Sequence, residues 1–74
     1  MDMNEKVFLL AVLKKESDET LVDIVAKLEA NGLFSLKDGK KLLKKLKNEQ
    51  FLTDTHLTLK GEVTAKSVEK EFKI

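Results

Sequence analysis

Six of the eleven residues from Lys37 to Lys47 are lysine, and on a helix turning roughly 100° per residue they gather on one side. Lys37, Lys40, Lys41, Lys44, Lys45 and Lys47 span an arc of roughly 160°, while Leu36, Gly39, Leu42, Leu43, Leu46 and Gln50 share another arc of about 120°. A row of ammonium groups on one face suits phosphate neutralisation, because each lysine that displaces a condensed counterion adds about 0.9 to the salt dependence of binding to duplex DNA. Lys60, a little further along the chain, is placed to add a seventh contact. A merely solvated helix face is the competing reading. All fourteen basic residues are lysine. Lysine acts as a point charge rather than a bidentate fork, which favours phosphate attraction over guanine reading.

Other reactive side chains do not assemble into a catalytic or metal-binding pattern. His56 is the single histidine and cysteine is absent, so a zinc site would have to be completed by carboxylates alone, a poor ligand set. An exposed turn residue is the better reading of His56. Ser67 and Lys70 have the spacing of a nucleophile motif, but a nucleophile also needs a base, a pocket and oxyanion donors. Paired acids such as Asp18 and Glu19, or Glu69 and Glu71, read as capping and solvation, since nothing nearby would desolvate them. The glycines at 32, 39 and 61 are too widely spaced for a phosphate loop, and the four phenylalanines read as core. The expectation is a protein without catalytic residues, metal or cofactor.

The elements that would carry the lysines follow from periodicity. Residues 3–15 suit a first helix whose run from Val7 to Leu13 is apolar on every side, so either a C-terminal helix or a second subunit must cover it. A second helix over 19–30, capped by Ser17 or Asp18, carries Leu21, Ile24, Val25 and Leu28 on one stripe and stops at Asn31-Gly32. Leu33 and Phe34 are apolar enough to wedge into the corner before the third helix, 36–49. Ser35 caps that helix, with Asp38 in its first turn. Gly39 lies on the apolar side and suits close approach to the second helix. Beyond Gln50 the period becomes two: 51–53 and 57–59 read as short strands around the turn Asp54-Thr55-His56, with Leu57 and Leu59 facing inward. Gly61 then resets the chain for a last helix over 62–72, whose inner side carries Ala65, Val68 and Phe72.

Composition sets the remaining bounds. Seventy-four residues suit a single domain, and without cysteine it must be held by hydrophobic burial. The seven-residue apolar run is too short to span a membrane and lacks the flanks of a signal peptide, so a cytoplasmic protein is expected. The net charge of +1 argues for no partner, yet its distribution is uneven. Residues 1–34 carry four lysines against seven carboxylates, and residues 35–74 carry ten against six, so cations concentrate in the second half.

Helix, helix, helix, hairpin, helix, together with LLKKLKNEQFL at 42–52 and LTLKGE at 57–62, resembles the winged helix-turn-helix superfamily, nearest to small bacterial regulators of the MarR and PadR type. Leu57, Thr58 and Gly61 match the Leu-Thr-x-x-Gly motif that leads out of the wing in those proteins. Gln50 stands where they usually have Gly, and the tip Asp54-Thr55-His56 is short and acidic. The resemblance covers about residues 17–66. It implies a mainly α fold with a small β-hairpin, a three-helix core, a short wing and a C-terminal helix, forming one domain over 1–74. It further implies a transcriptional regulator or accessory factor that binds double-stranded DNA with 36–49 as recognition helix, in a homodimer built from the first and last helices. The alternative on the same fold is a protein-interaction module, an assembly adaptor or anti-repressor, using the apolar first helix or the acidic first half and no DNA.

Overall fold

Helix formation in this chain is set by its caps. In the computed structural model, which describes residues 1–72, four helices follow in order: α1 (Met3–Lys14), α2 (Leu21–Ala30), α3 (Leu36–Asn48) and α4 (Leu59–Phe72). Asp2 opens α1 by accepting the Glu5 N–H at 2.9 Å. Thr20, rather than Ser17 or Asp18, opens α2: its hydroxyl accepts the Asp23 N–H at 3.0 Å while the Asp23 carboxylate accepts the Thr20 N–H at 2.9 Å, a reciprocal capping box. Ser35 opens α3 as expected, accepting the Asp38 N–H at 3.1 Å.

Both central helices end in the same hydrogen-bonded reversal. Gly32 has φ +81° and Gln50 has φ +66°. The N–H groups of Leu33 and Phe51 reach back to the carbonyls of Leu28 and Leu46 at 3.0 and 2.9 Å, and those of Gly32 and Gln50 reach Glu29 and Lys47 at 2.9 and 3.0 Å. This is the Schellman closure, which satisfies the last carbonyls of a helix and turns the chain sharply. At α2 glycine takes the left-handed position without cost; at α3 glutamine takes it.

The core runs through the middle of the four helices, with Phe8, Leu9, Ile24, Val25 and Leu46 fully buried. α1 packs most extensively on α4 and also on α2, and α2 packs on α3, so the chain's own C-terminal helix covers the apolar first helix. Leu33 and Phe34 do wedge into the α2–α3 corner, half-buried against the core, and the Phe34 ring lies 6.4 Å from that of Phe8. A Cβ on Gly39 would stand 2.6 Å from the Phe34 ring and 2.8 Å from Val25, which is the close helix approach its position suggested.

The expected winged helix-turn-helix architecture, mainly α with a small β-hairpin, does not form. Among the described residues there is no strand, and one isolated antiparallel bridge between Leu52 and Leu57 stands where the wing was expected. Thr53 and Thr58 account for this. Thr53 closes residues 53–56 into a tight turn, its hydroxyl oxygen accepting the N–H groups of Thr55 and His56 at 3.3 and 3.1 Å. The ladder is limited to the two bonds that flank the Leu52–Leu57 bridge, Thr53 N–H to the His56 carbonyl at 2.8 Å and Thr58 N–H to the Phe51 carbonyl at 3.0 Å. Thr58 ends the extended chain by capping α4, its hydroxyl accepting the Gly61 N–H at 3.0 Å and its carbonyl the Glu62 N–H at 2.8 Å. A local side-chain bond thus outcompetes the β ladder, and α4 starts at Leu59, three residues before its expected start. Leu59, expected inside, is consequently 79% exposed. Phe72, also expected inside, is exposed, while Ala65 and Val68 are buried as expected.

Candidate nucleic-acid interface

α3 is one unbroken helix with its leucines inward. Gly39, Leu43 and Leu46 are buried, Leu42 is half-buried, and Lys37, Lys40, Lys41, Lys44 and Lys45 are exposed. Lys47 is half-buried. The six lysines nonetheless divide into two groups by what they touch.

The lysines at the two margins of the arc are held by the rest of the chain. Lys45 donates to the Glu5 carboxylate at 2.5 Å. Glu5 is only 5% exposed on α1, so Lys45 is the counterion that lets a carboxylate sit against the core. The Glu5 bond and charge raise the Lys45 ammonium above the ordinary lysine value. On the opposite margin Lys47 lies 3.4 Å from the exposed carboxylate of Asp54. Lys60 is also engaged: it donates to the Glu49 carbonyl at 2.9 Å and stands 4.4 Å over the Phe51 ring, adding a cation–π contact to the C-terminal end of α3. The α1 side of α3 carries mixed charge, for a cleft of about 220 Å³ there is lined by Asp2, Glu5 and Asp38 together with Lys41 and Lys45.

Between these margins stand Lys37, Lys40, Lys41 and Lys44. Among the described residues none of the four has an ion-pair partner, whereas Lys6, Lys14, Lys27 and Lys66 each meet a carboxylate. The four occupy roughly 100° of arc and about 10 Å of helix axis. Neighbours at i+3 and i+4 of like charge repel by about 0.2–0.5 kcal/mol per pair. The four lysines form four such pairs, so α3 carries a self-repulsion of roughly 1–2 kcal/mol at low salt.

One polar residue of this face carries no weight in the charge pattern. Asn48, the last residue of α3, is exposed and projects within the lysine arc, between the directions of Lys37 and Lys41. Its angular position was readable from the sequence. What was not readable is that the end of α3 is completed by backbone bonds and Lys60, leaving the Asn48 side chain without a role there.

The other reactive groups lie apart from this face. His56 is exposed in the 53–56 turn, its Nδ1 within 3.2 Å of the Thr53 hydroxyl and 2.9 Å of the Thr55 hydroxyl. Ser67 and Lys70 are exposed on α4. Among the described residues no group of three His, Cys, Asp or Glu side chains converges as a metal site would require, and no helix is long and apolar enough to cross a membrane. No protein-family model, curated protein or solved structure matches the chain in comparisons with each.

Proposed function

We propose that this protein binds duplex DNA through the outward face of α3, with Lys37, Lys40, Lys41 and Lys44 on phosphates. The observation that carries the reading is the concentration of uncompensated charge: four adjacent ammonium groups stand without a carboxylate partner on one helix face, while Lys6, Lys14, Lys27 and Lys66 each meet one and the other lysines of the described residues that lack one, Lys15, Lys60 and Lys70, are scattered. A polyanion would relieve their mutual repulsion and release its own condensed counterions. Dimensions favour DNA over structured RNA. A helix about 10–12 Å across suits the roughly 12 Å major groove of B-DNA, whereas the A-form major groove is too narrow for it. Lys45, Lys47 and Lys60 are left out of the contact set because each already serves a partner within the chain.

Fluorescence anisotropy with a random-sequence duplex tests this. Four phosphate contacts give a slope of log K against log salt near −3.6, so a fourfold rise in salt weakens binding about 150-fold. Replacing Lys40 and Lys44 by Gln removes two contacts and lowers the slope by about 1.8; Lys66→Gln, on α4, leaves it unchanged. A slope near zero, or one that the Lys40 and Lys44 replacements do not alter, refutes the assignment.

A second reading, a protein-contact module, draws on Leu59 and Val63, which stand one turn apart on α4 and are 79% and 61% exposed. The homodimer suggested by the sequence would then use the outer side of α4, since α1 is covered within the chain. Light scattering distinguishes the two, because a dimer that ignores DNA at low salt favours the second.

A further inference from the structure

We infer that Asn48 reads adenine in the major groove and that the preferred duplex places an adenine opposite the C-terminal half of α3. This inference rests on the DNA-binding reading of the same face.

Asn48 is exposed at the end of α3 and is not engaged within the chain. Its side chain makes no hydrogen bond among the described residues, and α3 ends without its help. The Glu49, Gln50 and Phe51 N–H groups go to the carbonyls of Lys45, Lys47 and Leu46, and Lys60 closes on the Glu49 carbonyl. Asparagine is also a poorer helix former than the lysines and leucines around it. A full amide, with two donors and an acceptor, is therefore presented to the outside from the hydrogen-bonded C-terminal end of α3.

Its direction decides what it can meet. Around the helix, Lys40 and Lys41 bound the unpaired arc at its two edges, while Lys44, Lys37 and Asn48 lie between them within roughly 40° of one another. When such a helix lies in a groove, the flexible four-carbon stems of the lysines reach outward to the phosphates on either side, whereas the short Asn48 side chain stays over the floor. Asn48 follows Lys44 by one turn and Lys41 by two, so neighbouring phosphate contacts would fix its height. Among exposed polar side chains of the arc, only Asn48 can both donate and accept. Adenine presents an N7 acceptor beside an N6 donor in the major groove, the pair that an asparagine amide matches bidentately. Lysine, having no acceptor, cannot make that match.

The test uses the full chain and two duplexes of equal length, one built from A·T and G·C pairs and one from G·C pairs alone, at one moderate salt concentration. The adenine-containing duplex is expected to bind about 5- to 150-fold more tightly, the usual range for one bidentate base contact. Replacing its adenines by 7-deazaadenine, which lacks N7 but keeps pairing and minor-groove shape, should abolish that preference. Asn48→Ala should equalise the duplexes while leaving the salt slope near −3.6, since no charge is removed. Circular dichroism confirms that the variant remains helical, and Asn48→Gln, which keeps the amide, should retain part of the preference. Steep salt dependence with no adenine preference, or a preference that survives either 7-deazaadenine or Asn48→Ala, overturns the role of Asn48 while leaving phosphate binding standing. Failure to bind either duplex at low salt overturns both.

Discussion

Gln50→Gly should stabilise the protein, and the structure sets how much. Gln50 holds φ +66°, a left-handed conformation that costs a residue with a Cβ roughly 1–2 kcal/mol and glycine nothing comparable. Against this, glycine loses more backbone entropy on folding, by roughly 0.4–1 kcal/mol. The Gln50 side chain is exposed and makes no hydrogen bond, while the bonds that matter come from its backbone: its N–H to Lys47 and its carbonyl from the Thr58 hydroxyl at 2.6 Å. Both survive the substitution. The net gain is therefore about 1 kcal/mol. For 74 residues the unfolding entropy near the midpoint is roughly 155 cal/mol/K, so Tm should rise by about 6 °C. Thermal melts followed by circular dichroism at a single salt concentration measure it, and urea titration should show a higher midpoint with an unchanged m-value. Since the lysine face is untouched, DNA affinity should stay as it was. A Tm that is unchanged or lower would mean that α3 does not close through a left-handed residue at position 50, and the placement of Asn48 and Lys60 argued from that closure would fall with it.

Three further outcomes follow from the packing and the ion pairs. Gly61→Ala gains about 1 kcal/mol in helix propensity, but the new Cβ would stand 1.9 Å from the Phe51 carbonyl oxygen, a backbone atom that already accepts the Thr58 N–H at 3.0 Å. Overpacking of that kind costs about 3 kcal/mol or more, so the variant should lose about 2 kcal/mol net in a urea titration; a stabilised variant would refute the contact. The Lys45 ammonium is raised above its ordinary 10.5 by Glu5, so its contribution is complete below that value and is lost as pH rises through the folded value. Stability should fall on the alkaline side, and Lys45→Met should flatten that limb. The Glu19 carboxyl is lowered below 4.5, chiefly by its bond to Lys27, so its contribution is present above that value and is lost as pH falls through the folded one. Glu19→Gln should flatten the acid limb, and an unchanged acid limb would refute the assignment.

Much of the candidate site was legible in the residue order. Ser35, the leucine spacing and the lysine arc specify α3 locally, because capping and amphipathic periodicity act over a few residues. The fate of individual lysines was not legible. Lys45 meets Glu5 across forty positions of sequence, and Lys60 reaches back eleven to the Glu49 carbonyl. Such contacts depend on which elements become neighbours, so the arc read as six equivalent charges when two of them, Lys45 and Lys47, already meet carboxylates of the chain.

The hairpin failed for the opposite reason, a local competition decided by the hydroxyls of Thr53 and Thr58. Alternating Leu-Thr-Leu at 57–59 satisfies a strand pattern, but Thr58 is also a helix cap. Gly61 allows α4 to rest its first turn on the Phe51 carbonyl, which favours the cap. The same packing covers α1 and answers, within one chain, the question of what shields its apolar sides. By itself, then, the sequence determined where α1 and α3 begin, which faces of α2 and α3 turn inward and that one face is cationic, all properties of short stretches of chain. Which charges remain unneutralised and what covers α1 were decided by tertiary structure, because both depend on which groups the folded helices bring within a few ångströms of one another.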